Sequence, residues 1–99
     1  MADEVVELMV TASAVGKLGA RSIMIAEAEQ LLRNRHAIVR NRRGHPRRRQ
    51  SPARRLLVGE TDGGLILTLV VEATIDSTTW LLITAWESEP PERRLIKDR

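Results

Sequence analysis

The alternation of apolar and polar positions separates a helix-rich first third of the chain from a strand-rich second half. Residues 4–10 alternate and predict a first strand. A short helix is predicted over about 12–18, with Thr11 or Ser13 as its N-cap. A second helix is predicted over about 25–34, because strong helix formers there place their apolar side chains on one face.

After residue 35 the pattern changes to short apolar runs separated by turn residues. The runs at 36–40, 55–60, 65–73 and 79–86 are rich in Leu, Val, Ile and Thr and predict strands, and 90–97 predicts a short terminal helix that starts at its prolines. The expected order is β-α-α-β-β-β-β-α. This indicates the α+β class, with two N-terminal helices packed on an antiparallel β-meander and a short C-terminal helix.

The central strand over 65–73 is apolar on both of its faces. Leu67 and Leu69 alternate with Thr68 and Val70, so we expect helices or a partner to cover the second face as well as the first. Strict alternation would also put Trp80 and Trp86, six residues apart, on the same side of the last strand.

Composition limits the classes of function. Ninety-nine residues make one domain, and the absence of cysteine excludes disulfides and thiol chemistry. Two histidines, His36 and His45, are too few for a protein-only metal site without carboxylates, and we expect no cofactor and no metal. The acidic start of the chain and the lack of a long apolar run predict a soluble, cytoplasmic protein without a membrane partner.

Charge is strongly polarised along the chain. The window 33–55 holds ten arginines and no acid, so outside it six basic residues face all 13 acidic ones. Residues 41–53 have no periodicity and contain Gly44, Pro46 and Pro52, which predicts a long, flexible basic loop. Such a segment suits a nucleic-acid backbone or an acidic protein surface, and a solvated loop with no partner is the alternative.

Two separated segments resemble those of BrnT-like toxins of type II toxin–antitoxin systems. Residues 23–28 (IMIAEA) are similar to the segment in which a hydrophobic pair leads into a helix, and residues 83–85 (ITA), followed by 92–94 (ERR), are similar to the last strand and the helix after it. The resemblance implies a RelE-like ribonuclease fold, an RNA substrate, no metal cofactor and a cognate acidic antitoxin. Two positions depart from the family pattern: Trp86-Glu87 stands where the family commonly has Arg-Lys, and Arg21-Ser22 where it has His-Gly.

Metal-independent RNA cleavage requires a base, an acid and cations that stabilise the phosphate. The catalytic candidates are Arg54, Arg55, Glu92, Arg93 and His45. The RNA-binding candidates are Arg40, Arg42, Arg43, Arg47, Arg48, Arg49 and Lys97. Alternation sends Arg54 and Arg55 to opposite faces of their strand. Structural alternatives stay open, since Glu92 also suits the start of the last helix, and Arg33 and Arg35 suit the end of the second.

The leading hypothesis is therefore a toxin that binds RNA through phosphate contacts and cleaves it without a metal. A non-catalytic basic module that has kept the fold is the alternative, favoured by Trp86-Glu87. In a third hypothesis the arginine segment docks an acidic antitoxin. The oligomeric state is left open between a homodimer and a toxin–antitoxin hetero-oligomer.

Overall fold

A computed structural model describes residues 3–40 and 53–97 of the chain. The described residues form three helices and one five-stranded sheet, which confirms the α+β class. The elements in chain order are β1 (Glu7–Met9), α1 (Ala12–Gly19), α2 (Ile25–Gln30), β2 (His36–Arg40), β3 (Arg54–Glu60), β4 (Ile66–Ala73), β5 (Thr79–Glu87) and α3 (Pro90–Lys97). The basic loop predicted over 41–53 lies, apart from Ala53, outside the described residues.

The sheet is mixed, because a strand that pairs in parallel is added to the antiparallel meander. Its strand order is β1-β5-β4-β3-β2, and β2 to β5 form the predicted antiparallel meander. β1 pairs in parallel with β5, with Leu8 opposite Trp80. No hairpin turn joins these two strands, so no local signal in the sequence determines their relative direction.

Helices cover both faces of the sheet. On the front face, defined here by Leu57 and Leu69, the side chains pack with Leu18 of α1 and with Leu31, which follows α2. All four of these leucines are fully buried. The burial of such aliphatic side chains supplies about 1.5–3 kcal/mol each, and this is the main apolar contribution to folding.

On the back face, α3 packs against the beginning of the meander. Ile96 and Leu95 of α3 contact a cluster that includes Val58 of β3, Ile66 of β4 and Ala37 of β2. The expectation that the second face of the central strand is also covered is thereby confirmed, and the cover is the C-terminal helix.

The second helix is shorter than predicted: after Gln30 the backbone tightens, with the Leu31, Leu32 and Arg33 amides donating to carbonyls three residues back, and side chains of this segment bond to the β3–β4 turn. Asn34 Nδ2 donates to Glu60 O and to Asp62 Oδ1, each at 2.9 Å, and Gln30 Oε1 accepts from the Asp62 amide at 3.0 Å. Arg33 lies 3.5 Å from the Asp62 carboxylate. The first helix begins as predicted, with Thr11 Oγ1 accepting from the Ala14 amide at 3.2 Å.

Arg35 also has a different role from the one expected at the end of the second helix. Its guanidinium donates a 3.0 Å hydrogen bond to Ile96 O, one of the last carbonyls of α3. Helix carbonyls near a C-terminus lack intrahelical partners, and a cation there also suits the helix dipole. Arg35 therefore stabilises the end of α3.

The expectation that both tryptophans share a face is wrong, because β5 contains a bulge. Trp86 lies opposite Thr68 and Trp80 lies opposite Ala73, with a register shift between Val70 and Val71 of β4. The extra residue inverts the alternation. Trp80 belongs to the front-face core, whereas Trp86 lies on the back face with Thr68.

Candidate nucleic-acid interface

The described candidate residues fall into two groups of cations. The hairpin-end group consists of Arg40, Arg54 and Arg55, at the end of the β2–β3 pair where residues 41–53 connect the two strands. The helix group consists of Arg93, Arg94 and Lys97 on α3. The other candidates lie outside the described residues: Arg42, Arg43, His45, Arg47, Arg48 and Arg49.

Within the hairpin-end group, the two β3 arginines take opposite faces, as alternation predicts. Arg54 lies opposite Glu72, and its Nε bonds to Glu72 Oε1 at 3.0 Å. Arg55 lies opposite Arg40 of β2 and Val71 of β4. Its side chain is only 17% exposed. Each arginine of β3 is thus held on a rigid strand by an acidic partner or a neighbouring strand.

Arg55 has an acidic partner that sequence reasoning missed. Its Nε donates a 2.8 Å hydrogen bond to Oδ2 of Asp3, 52 residues away in the chain. Like charges directly opposite each other in a sheet are destabilising, and Arg40 and Arg55 are such a pair. The Asp3 carboxylate reduces this repulsion. No local motif marks Asp3, since the contact depends on where the segment before β1 lies.

The helix group forms the outward side of α3. Arg94 and Lys97 are exposed and Arg93 is half-buried, while Leu95 and Ile96 point into the back-face core. Lys97 is four residues after Arg93 and three after Arg94, and residues at these spacings are neighbours on one side of a helix. Within the residues that the structure describes, none of these three cations forms an ion pair.

Glu92 lies on the same helix but faces the sheet. Its Oε1 accepts hydrogen bonds from the indole Nε1 of Trp86 and from the Glu89 amide, each at 2.9 Å. The second contact joins the side chain at the third helical position to the amide of the residue before the helix, an arrangement that stabilises the start of a helix. Stabilisation of the start of α3, one of the alternatives for Glu92, is confirmed.

The two groups are at different ends of the hairpin. Arg35, which precedes β2, bonds to the end of α3, whereas Arg40 ends β2. Five residues of strand separate these points by about 17 Å. The described structure therefore places Arg40 and Arg55 side by side on one face of the sheet and Arg54 on the other, and it does not bring them into one catalytic centre with Glu92, Arg93 and Lys97 of α3.

His36 is the one histidine in the described ranges. Its Nδ1 lies 2.9 Å from Asn34 O, and the half-buried ring lies beside Gly59. A carbonyl only accepts, so Nδ1 carries the proton in this contact. Among the residues described, no cluster of three or more histidine and acidic side chains is arranged to hold a metal ion.

Comparison with known proteins adds no family assignment. The chain matches no protein-family model, and no curated protein shows detectable similarity to it. No helix within residues 3–40 and 53–97 is long and apolar enough to cross a membrane.

Proposed function

We propose that this protein binds RNA through its phosphate backbone, with the helix group of α3 as the anchoring surface. The observation that carries the proposal is the contrast among the described cations. Arg33, Arg54 and Arg55 each have an acidic partner, whereas Arg93, Arg94 and Lys97 point outward without one in the described structure. Binding there breaks no existing ion pair.

The chemistry of these side chains supports phosphate as the ligand. Guanidinium groups donate two parallel hydrogen bonds to a phosphate, and three cations within one turn match several negative charges on a flexible strand. The chain has only two aromatic residues, and Trp80 is buried while the Trp86 indole bonds to Glu92. Base stacking therefore contributes little, and the contact is directed to the backbone.

Salt titration tests this binding. The logarithm of the affinity for a fluorescent single-stranded RNA should fall linearly with the logarithm of the salt concentration. The slope of this line reflects the number of phosphate contacts. Each cation of the helix group that is replaced by alanine should reduce the slope by about 0.7. Fluorescence anisotropy between low and moderate salt measures both the affinity and the slope.

A matched control exists in the first helix. Lys17 and Lys97 are both exposed lysines in the last turn of a short helix, so Lys17→Ala and Lys97→Ala change the net charge equally. The proposal requires that Lys97→Ala, and not Lys17→Ala, lower the slope. Equal slopes for the two variants would show that the helix group is not the binding surface.

Cleavage of the bound RNA is a second candidate function, and the hairpin-end group favours it. Arg55 holds the Asp3 carboxylate at 2.8 Å, and Arg40 stands directly opposite Arg55. Here the Asp3 carboxylate takes the proton of the 2′-hydroxyl, the Arg55 guanidinium stabilises the pentacoordinate phosphate, and the 5′-oxygen takes a proton from water as it leaves. In this proposal Arg54 positions the strand through Glu72.

Incubation of RNA with the protein in excess chelator tests the cleavage proposal. Asp3→Asn keeps the shape and a hydrogen-bond acceptor but removes the base, and it should slow cleavage by about 10²–10⁴-fold. Lys17→Ala should leave the rate unchanged. Intact RNA with the wild-type protein would remove the cleavage proposal and leave RNA binding to be judged by salt titration.

The resemblance of residues 23–28, 83–85 and 92–94 to segments of BrnT-like toxins extends the proposal to a toxin controlled by an acidic antitoxin. Induced expression should then arrest growth, and co-expression of the product of the adjacent gene should restore it. Normal growth on expression would leave a non-catalytic binding module as the function.

A further inference from the structure

The two outer strands of the meander, β5 and β2, differ in whether another described segment bonds to their outer side. At one edge β1 pairs with Thr79–Leu81 of β5, and farther along β5 an Arg21 nitrogen donates to Ala85 O at 3.2 Å. The Arg21 guanidinium also lies 5.9 Å from the ring centroid of Trp86. At the other edge, no strand among the described residues pairs with the outer side of β2.

The register identifies the backbone groups that β2 presents outward. The Glu60 amide donates to Arg35 O at 3.4 Å, so Arg35 and Glu60 are a hydrogen-bonded pair of the antiparallel ladder. Such pairs alternate with non-bonded ones. Ala37 and Val39 therefore bond to β3, and the N–H and C=O groups of His36, Ile38 and Arg40 point away from it.

This edge lacks the features that usually block an exposed strand. Such strands commonly carry a proline, a lysine or a bulge, or lie under a helix or loop. β2 contains neither proline nor lysine, and its register with β3 is uninterrupted from His36 to Arg40. Five residues also equal a common strand length, which gives space for a full partner strand.

The charge at β2 indicates which kind of strand can pair with its outer edge. Arg35 precedes β2 and Arg40 is its last residue, and no acidic residue lies between them. A second copy of the chain, paired antiparallel about Ile38, would place Arg40 opposite His36 of the partner subunit and supply no carboxylate to Arg40. An acidic strand can place a carboxylate opposite Arg40 and form an attractive cross-strand pair.

We propose that the outer edge of β2 accepts an extended acidic segment of another protein as a sixth, antiparallel strand. Main-chain hydrogen bonds to His36, Ile38 and Arg40 supply affinity. An apolar residue opposite Ile38, with carboxylates opposite His36 and Arg40, supplies specificity. The site is separate from RNA binding by α3 and does not depend on it.

Amide hydrogen exchange on the full chain tests the proposal with the synthetic peptide acetyl-Thr-Glu-Val-Ile-Val-Glu-Thr-amide. At ten times its Kd the peptide should slow exchange about tenfold at the amides of His36, Ile38 and Arg40. The amides of Ala37 and Val39 already bond to β3 and should change little. The same peptide with lysine in place of both glutamates should give no protection at that concentration.

Two variants separate strand addition from general attraction. Ile38→Pro removes an outward N–H and no ladder bond to β3, and it should abolish peptide binding. Ile38 also packs against the front-face core. For that reason the second variant changes an exposed residue, Arg40→Glu. It should weaken binding of the glutamate peptide at least tenfold and strengthen binding of the lysine peptide. Lys17→Glu, with the same charge change on α1, should do neither.

The remaining outcomes are equally decisive. Binding without protection of the three outward amides would overturn strand addition. Protection that grows with protein concentration in the absence of peptide would identify a second copy as the occupant and overturn the acidic partner. Arg94→Ala should lower RNA affinity and leave the peptide Kd unchanged, so loss of peptide binding in that variant would contradict separate sites.

Discussion

The indole Nε1 of Trp86 donates a 2.9 Å hydrogen bond to Oε1 of Glu92, and this contact ties the start of α3 to the back face of the sheet. The same oxygen accepts from the Glu89 amide. One carboxylate thus satisfies a helix-terminal N–H and a half-buried indole N–H. Trp86 therefore contributes to the fold of this chain.

Replacement of Glu92 separates this structural role from a catalytic one. Glu92→Ala removes the acceptor of both hydrogen bonds and should lower the free energy of unfolding by about 1–2 kcal/mol. Glu92→Gln keeps an acceptor oxygen and should recover most of that loss. Urea unfolding followed by tryptophan fluorescence measures both changes.

The RNA-cleavage rate of Glu92→Gln provides the control. If Glu92 stabilises α3 only, the glutamine variant should cleave RNA at the wild-type rate wherever the wild type is active. A loss of cleavage at unchanged stability would instead assign proton transfer to Glu92.

Elements whose limits depend on local chemistry are predictable from the sequence. The strand His36–Arg40 and the helix Pro90–Lys97 have the predicted bounds, because β-branched and apolar residues define the first and prolines begin the second. The second helix ends early, at Gln30, and the Asn34 side chain beyond it bonds to Glu60 and Asp62. These partners are close to Asn34 only in the folded chain.

In the candidate site, too, local sequence predicts some features, whereas others depend on contacts that form only on folding. Alternation predicts that Arg54 and Arg55 point to opposite faces, and the register confirms it. The partners Glu72 and Asp3 are not predictable, since they come from a neighbouring strand and from a segment 52 residues away. The bulge that separates the faces of Trp80 and Trp86 has no local sequence signal of its own.

Because Gly59 of β3 has no side chain, Leu31 and His36 pack close to its backbone. A Cβ built there would lie 2.8 Å from Leu31 Cγ and 2.9 Å from His36 Cβ. Gly59→Ala should therefore force the buried Leu31 to shift and lower the free energy of unfolding by about 1–3 kcal/mol. Thermal unfolding by circular dichroism measures the effect.

Replacement of Gly16 by alanine should instead raise the free energy of unfolding. Gly16 lies within α1, and nothing is within 4 Å of a Cβ built on it. Alanine is favoured over glycine in a helix interior by about 0.8–1 kcal/mol, so Gly16→Ala should stabilise the protein. Equal effects of the two substitutions would contradict the close contact at Gly59.

Ser22 ends the turn after α1 in a left-handed conformation, with φ 59°. The Ser22 amide donates to Gly19 O and the Ile23 amide to Leu18 O, which is the Schellman arrangement. Glycine is the preferred residue at this position because it has no Cβ. Ser22→Gly should raise the free energy of unfolding by about 0.5–1 kcal/mol in urea titrations, and Ser22→Val should lower it.

Thr68 and Ser88 form a hydrogen-bonded hydroxyl pair inside the back face, with 2.7 Å between Oγ1 and Oγ. Both residues are buried, at 0% and 4% exposed. Thr68→Val keeps the shape but leaves the Ser88 hydroxyl without this partner, and it should lower the free energy of unfolding by about 1–3 kcal/mol.

A double-mutant cycle with Ser88→Ala isolates the pair. Each single variant leaves one buried hydroxyl unpaired, whereas the double variant leaves none, so its loss of unfolding free energy should be clearly smaller than the sum of the two single losses. Chemical unfolding of the four proteins under one buffer condition gives the coupling. Strict additivity would mean that the two hydroxyls do not interact in solution, and that Ser88 is held to β4 through its amide, which donates to Ile66 O at 2.9 Å.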